Sequence, residues 1–154
     1  MKFIKLIKKA VLTGLFISLM VVSIAWGLTA QQVAREVFPS VVLLVMEDVN
    51  GQPVSMGSGF FVRENIIATN LHVIEEAAGG YAKVIGMKTK YNIAGTVGIE
   101  RDVDIVLLSL EGIRAPVLRL GNSGQVQVGD EIYAVGNPLG LEGTFSKGMV
   151  SGVR

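Results

Sequence analysis

From Ser40 onward the chain alternates short apolar runs with polar, glycine-rich breaks. Ser40 to Met46 is an aliphatic, β-branched run and predicts a buried strand. Asp48-Val49-Asn50-Gly51-Gln52-Pro53 follows with turn residues, Asn50-Gly51 being the strong hairpin signal. Further strands are expected near Ser55–Val62, Asn65–Thr69, Tyr81–Met87, Ile93–Ile99 and Ile105–Ser109, with a polar turn at Arg63-Glu64-Asn65. Ile74 to Ala78 reads as a short helical turn stopped by Gly79-Gly80. Leu110 to Ala115 reads as a connector, its limits marked by Gly112 and Pro116. Strands near Val117–Leu120, Glu131–Val135 and Thr144–Val153 come after it. Short, regularly spaced strands with glycine-rich turns predict an all-β barrel or sandwich. There is no internal repeat, low-complexity tract or coiled-coil heptad.

The pattern ahead of Ser40 is helical. Thr29-Ala30-Gln31-Gln32 has the form of a capping box, with Thr29 as N-cap and Gln32 at the third helical position. The helix would run from Ala30 to about Phe38, with Val33 and Val37 on one face, and end at Pro39. Before it, Lys2, Lys5, Lys8 and Lys9 precede an apolar run from Ala10 to Gly27. A basic start followed by an apolar stretch is the form of a secretory signal, with cleavage after Ser23-Ile24-Ala25 or after Leu28-Thr29-Ala30. A cut after Ala30 would remove the Thr29 cap, which favours the earlier site or no cut. The run is also long enough for an uncleaved hydrophobic helix that anchors the chain in a membrane, with Trp26 at the interface. Both readings export the remainder of the chain, because the lysines stay on the cytoplasmic side.

Charge and composition narrow the function. Removing the four leader lysines takes the formal charge from +1 to −3. The rest is mildly acidic and offers no basic patch for nucleic acid. Without cysteine there is no disulfide and no thiol nucleophile, so an exported domain of this kind relies on its core. One histidine and no cysteine argue against a zinc site, and neither a metal nor another cofactor is expected.

That one histidine, His72, closes the segment Ile66-Ile67-Ala68-Thr69-Asn70-Leu71-His72. Alone it reads as a core histidine bonded to backbone. At the mouth of a β-structure, beyond the break-favouring pair Thr69-Asn70, it also reads as a general base. Other segments bear on the choice. Gly57-Ser58-Gly59-Phe60-Phe61-Val62 followed by Ala68-Thr69-Asn70-Leu71-His72-Val73-Ile74 resembles the histidine region of trypsin-like serine proteases of the HtrA/Deg type. Asp102-Val103-Asp104-Ile105-Val106-Leu107-Leu108 is similar to that family's aspartate segment. Val128-Gly129-Asp130 and Gly136-Asn137-Pro138-Leu139-Gly140 resemble its second-barrel opening, and the order of the motifs is the family's.

The resemblance implies a trypsin-like double β-barrel. Residues 1–30 would be a signal peptide or membrane anchor, 31–110 a complete first barrel with its preceding short helix, and 111–154 an incomplete second barrel. His72 would be the base and Asp104 the buried carboxylate that orients it, with Asp102 the rival two residues away on the same side of an extended strand. The family's nucleophile lies in a Gly-x-Ser-Gly-Gly segment, and none occurs up to Arg154. Ser123, in Gly121-Asn122-Ser123-Gly124, is a decoy: Gln125 stands where a second glycine belongs, and the segment precedes Val128-Gly129-Asp130. Ser58 lies between glycines and is no nucleophile by resemblance either. A chain lacking the nucleophile would be inactive, and a half-built second barrel would leave it unstable or prone to aggregate. The implied partner is a polypeptide substrate, an exported or misfolded protein. The resemblance also allows a homo-oligomer, and the leader allows contact with a membrane. The rival reading is a non-catalytic, protease-derived peptide-binding protein or gene remnant, using an open strand edge.

Overall fold

The computed structural model describes residues 27–137 and 143–153. The leader through Trp26 and the Pro138-Leu139-Gly140 part of the second-barrel motif therefore lie outside the described residues. Among the described residues no helix is long and apolar enough to cross a membrane.

Helix α1 (Ala30–Val37) starts where the capping box predicts. Gln32 N donates to Thr29 Oγ1 at 3.3 Å and Thr29 N to Gln32 Oε1 at 2.7 Å. The pair satisfies two of the donors that a helix start leaves open. The α-helix gives way to a 3-10 turn over Phe38–Ser40. Pro39 sits in the first positions of that turn, where its missing N–H costs nothing.

Strand β1 (Val41–Glu47) is buried through Met46. It pairs on one side with β2 (Pro53–Arg63) and on the other with β4 (Gly79–Val84). Val42, Leu44 and Met46 face the main core, and Val41, Leu43 and Val45 are buried on the opposite face. A strand covered on both faces reads as a continuous apolar run, which is the pattern the sequence carries here. The turn after β1 is built by Asp48. Its Oδ1 accepts from Asn50 N (2.8 Å) and Gln52 N (2.9 Å), and Gly51 takes φ +75°. Only Gly51 of the Asn50-Gly51 pair is left-handed, so the loop spans Asp48 to Gln52 rather than two residues.

With β3 (Ile66–Asn70), β5 (Tyr91–Glu100) and β6 (Ile105–Leu110) these strands close an antiparallel barrel in the order β1-β2-β3-β6-β5-β4. Phe61, Ile67, Ala82, Val84, Val106 and Leu108 fill it. Ala115 and Ile113, from the expected connector, pack against the same core. Two further strands, β7 (Glu131–Gly136) and β8 (Thr144–Met149), form a separate antiparallel pair. β7 lies against β1 and β2.

Several expected boundaries change. Gly79-Gly80 opens β4 instead of stopping a helix: Gly80 pairs with Met46, and a Cβ there would stand 2.5 Å from Val45 O. Leu71–Val73 is a 3-10 turn, and the chain from Ile74 to Glu76 is turn rather than helix. β4 ends at Val84, because Met87 N returns to Val84 O and Gly86 takes φ +78°. Val117–Leu120 is not a strand. That segment makes isolated bonds, Ala115 N to Glu64 O and Leu118 N to Phe61 O, and Pro116 between them has no N–H to continue a ladder. β8 stops at Met149 rather than Val153.

Candidate active site

The β3–β6 ladder sets the site. Its register places Thr69 opposite Val106 and Asn70 opposite Ile105. Leu71 and Asp104 therefore meet just past the strand ends, where Leu71 N donates to Asp104 O at 3.2 Å. Thr69 is buried, and its Oγ1 donates to Ser58 O on β2 at 2.8 Å, which ties down the end of β3.

His72 is the middle residue of the 3-10 turn Leu71–Val73. Leu71 and Val73 on either side are buried in the core, and His72 projects outward with its side chain 68% exposed. Two apolar anchors thus aim one polar side chain. Gly57 on β2 makes room for the second anchor: a Cβ there would lie 2.7 Å from both methyls of Val73.

Asp104 ends a hydrogen-bonded turn, its N–H reaching Arg101 O at 3.2 Å. Its φ is +56°, and among the described residues it is the only non-glycine with positive φ. Aspartate is one of the few residues that enters this region readily. Its Oδ1 accepts from His72 N at 2.9 Å, and its Oδ2 lies 2.6 Å from His72 Nδ1. Oδ2 also accepts from Asn70 Nδ2 at 3.1 Å, and the same amide reaches Asp104 O at 3.2 Å. The backbone N–H of His72 is the largest of the influences that hold the Asp104 carboxyl below its usual range. The His72 ring bond comes next, desolvation opposes both, and the His72 charge and the Asn70 amide add to the lowering.

A carboxylate can only accept, so this contact puts the neutral imidazole proton on Nδ1 and leaves the Nε2 lone pair free. The pair can take a proton at Nε2 and hold the resulting imidazolium against a negative charge. The carboxylate is not buried as expected, since the Asp104 side chain is 43% exposed. The extended strand expected through Asp102 is absent as well. Residues 101–104 form a turn, and the bonds from His72 go to Asp104 and not to Asp102.

The two serines take other places. Ser123 starts a 3-10 turn that Asn122 caps by accepting from Gly124 N at 3.0 Å, and the turn's other bonds close on itself. Ser58 Oγ accepts from Asn137 N at 2.7 Å, so it fastens the end of β7 to the barrel. Neither that link nor the Asn70 bonds were visible in the sequence, where Thr69-Asn70 registers only as break-favouring. A polar side chain just before a strand-end histidine is the signal that could have pointed to Asn70. An apolar cleft of about 460 Å³ opens beside Asn70, with Val41, Phe60, Ala68, Ile105, Tyr133 and Val135 in its walls.

A family model described as a trypsin-like peptidase domain matches residues 57–154. The chain belongs to this family. The matched stretch contains both His72 and Asp104. Among relatives, the "Probable periplasmic serine endoprotease DegP-like" of Chlamydia trachomatis serovar D is 38% identical over 96 residues, 62% of this chain and 19% of its own length. Serine protease PepD of Mycobacterium tuberculosis is 35% identical over 132 residues, 80% of this chain and 28% of its own. A protein of the first name in Pseudomonas putida is 32% identical over 99 residues. These relatives bear out the HtrA/Deg-type resemblance, and the matched part of the chain spans 19% to 28% of their length.

Proposed function

We propose that these residues carry the acid–base half of a serine endopeptidase site that acts on exported or misfolded polypeptides. The observation behind the proposal is the double contact between His72 and Asp104, N–H to Oδ1 at 2.9 Å and Nδ1 to Oδ2 at 2.6 Å. In this reading His72 Nε2 removes the proton from a serine hydroxyl as that oxygen attacks a peptide carbonyl. His72 then returns the proton to the leaving amine, and Asp104 stabilises the imidazolium in between. The reaction also needs the serine and a set of oxyanion donors, and donors of that kind usually supply the largest catalytic term. The 154 residues include no Gly-x-Ser-Gly-Gly segment, so this sequence supplies the base and the orienting acid alone. The basic, apolar leader supports export of the chain, as do the relatives in Chlamydia and Pseudomonas, each named a probable periplasmic endoprotease. Residues 31–110 then form the first barrel and 111–154 the opening of a second.

Sequencing the gene through and past codon 154 tests the reading. A frame that runs on into a Gly-x-Ser-Gly-Gly segment is expected. A stop with no such segment downstream in any frame sinks the peptidase reading. The 154-residue chain itself is expected to hydrolyse casein no faster than its His72→Ala variant.

A second reading, peptide binding without catalysis, has one observation in its favour. Among the described residues β7 and β8 pair only with each other, so each has an open edge that an extended peptide could join. A serine-directed fluorophosphonate that labels the full-length gene product rules this reading out.

A further inference from the structure

We infer that Asn70 is a positioning residue for the His72–Asp104 pair, its side-chain amide clamping Asp104 so that both carboxylate oxygens face His72. The inference rests on the proposed reading of His72 as base. Asp104 occupies a left-handed conformation in a turn, a backbone state that aspartate enters more readily than most residues but still adopts less often than the extended or right-handed ones. Its own turn offers one bond to hold it there, from Asp104 N to Arg101 O. Besides the His72 bonds to the carboxylate, the remaining hold comes from the end of β3 and the first residue of the 3-10 turn after it. Leu71 N and Asn70 Nδ2 both donate to Asp104 O, and Asn70 Nδ2 also donates to Asp104 Oδ2.

One NH₂ group therefore grips the main-chain carbonyl and the carboxylate of the same residue, and so fixes the carboxylate relative to its own backbone. That task needs two hydrogens on one atom at the end of a short stem. Serine has one hydrogen, aspartate has none, and glutamine is a methylene longer. The β3–β6 register delivers the amide, because Asn70 pairs with Ile105, the residue after Asp104. The effect is geometric more than electrostatic: of the influences that lower the Asp104 carboxyl, the Asn70 amide is the smallest and the His72 backbone N–H the largest.

The test uses the ¹⁵N-labelled full chain in detergent micelles. His72 is the only histidine, so its ring signals need no assignment to a residue, and couplings to the carbon-bound ring protons tell Nδ1 from Nε2. In the wild type the neutral ring is expected to carry its proton on Nδ1. A wild-type proton on Nε2 would overturn the proposed role of His72, and the inference would fall with it. With Nδ1–H established, Asn70→Ala and the shape-preserving Asn70→Leu are expected to give a mixed population in which the Nε2–H form is at least comparable. The dispersed amide spectrum of the barrel should persist. A purely structural role would lower stability and leave the tautomer alone, so an unchanged Nδ1–H ring in either folded variant overturns the inference. A second measurement needs no variant. On acid titration of the wild type, the Asn70 Nδ2 protons should move as the Asp104 carboxyl protonates, below the ordinary carboxylate range. Asn70 protons that do not respond would overturn the inference equally.

Discussion

Val73 packs onto the bare Cα of Gly57, so closely that a Cβ there would stand 2.7 Å from both valine methyls. Val73 is β-branched and stiff, and it is one of the two anchors that aim His72. Gly57→Ala should therefore push Val73 aside and cost about 1–3 kcal/mol, the usual range for overpacking. Denaturant melts of wild type and variant measure the loss. The His72 ring resonances should shift with it, while those of Tyr91, which packs on the core from β5, should stay in place.

The His72–Asp104 contact makes stability depend on pH. Asp104 titrates below its usual range in the folded protein, mainly through the His72 backbone and ring bonds. A depressed carboxyl contributes stability that is fully present above the unfolded-state carboxylate range and is lost as pH falls through the folded value. Asp104→Asn should thus lower Tm at pH 7, and the gap between variant and wild type should close below the ordinary carboxylate range. Both side chains are well exposed, so added salt should narrow the gap at pH 7 as well. A gap that is constant from pH 7 to pH 3 would contradict this account.

Ser58 has a structural task that can be measured. Asn137 is buried, and its N–H finds an acceptor in Ser58 Oγ. Ser58→Ala leaves that N–H without the bond, at a cost of about 1–3 kcal/mol for an unsatisfied buried donor. Hydrogen exchange at Asn137 should speed up well before exchange at barrel amides such as those of Leu44 and Leu108. Equal acceleration across both would show that the link does not hold β7 specifically.

The barrel was largely legible because its strands carry their burial in their composition. Val41–Met46 is apolar at every position and is buried at every position. The failures lie where a single backbone bond decides the outcome. Val117–Leu120 has the composition of a strand, yet Pro116 denies it a ladder. Gly79-Gly80 looks like a stop, yet it opens β4 because Gly80 must pass close to Val45 O. At the site, the His72 and Asp104 segments were readable as motifs. The left-handed turn at Asp104 was not, since aspartate enters the left-handed region only as a minority state and the finished register of β3 and β6 selects it here. Burial of the Asp104 carboxylate was expected by resemblance and is absent for a simple reason: its ligands come from one edge, and its other side faces solvent.

A second fastening of β7 and β8 is aromatic. Phe145 on β8 stacks on Tyr133 of β7 with ring centroids 5.1 Å apart, and Phe38, just before β1, meets Phe145 edge-on at 6.1 Å. Phe145→Leu keeps much of the apolar bulk and removes both ring geometries, so it should cost about 0.5–1.5 kcal/mol for each pair beyond the burial term. The Phe38 contact joins the pair of strands to the barrel, as the Ser58–Asn137 bond does. If the β7–β8 pair opens as one unit, releasing it at either point removes most of the benefit of the other. Ser58→Ala with Phe145→Leu should then cost less than the sum of the single variants, measured as a double-mutant cycle on the exchange rates of β7 amides. Costs that add fully would mean that the two links stabilise separate local structures and that β7 and β8 do not open together.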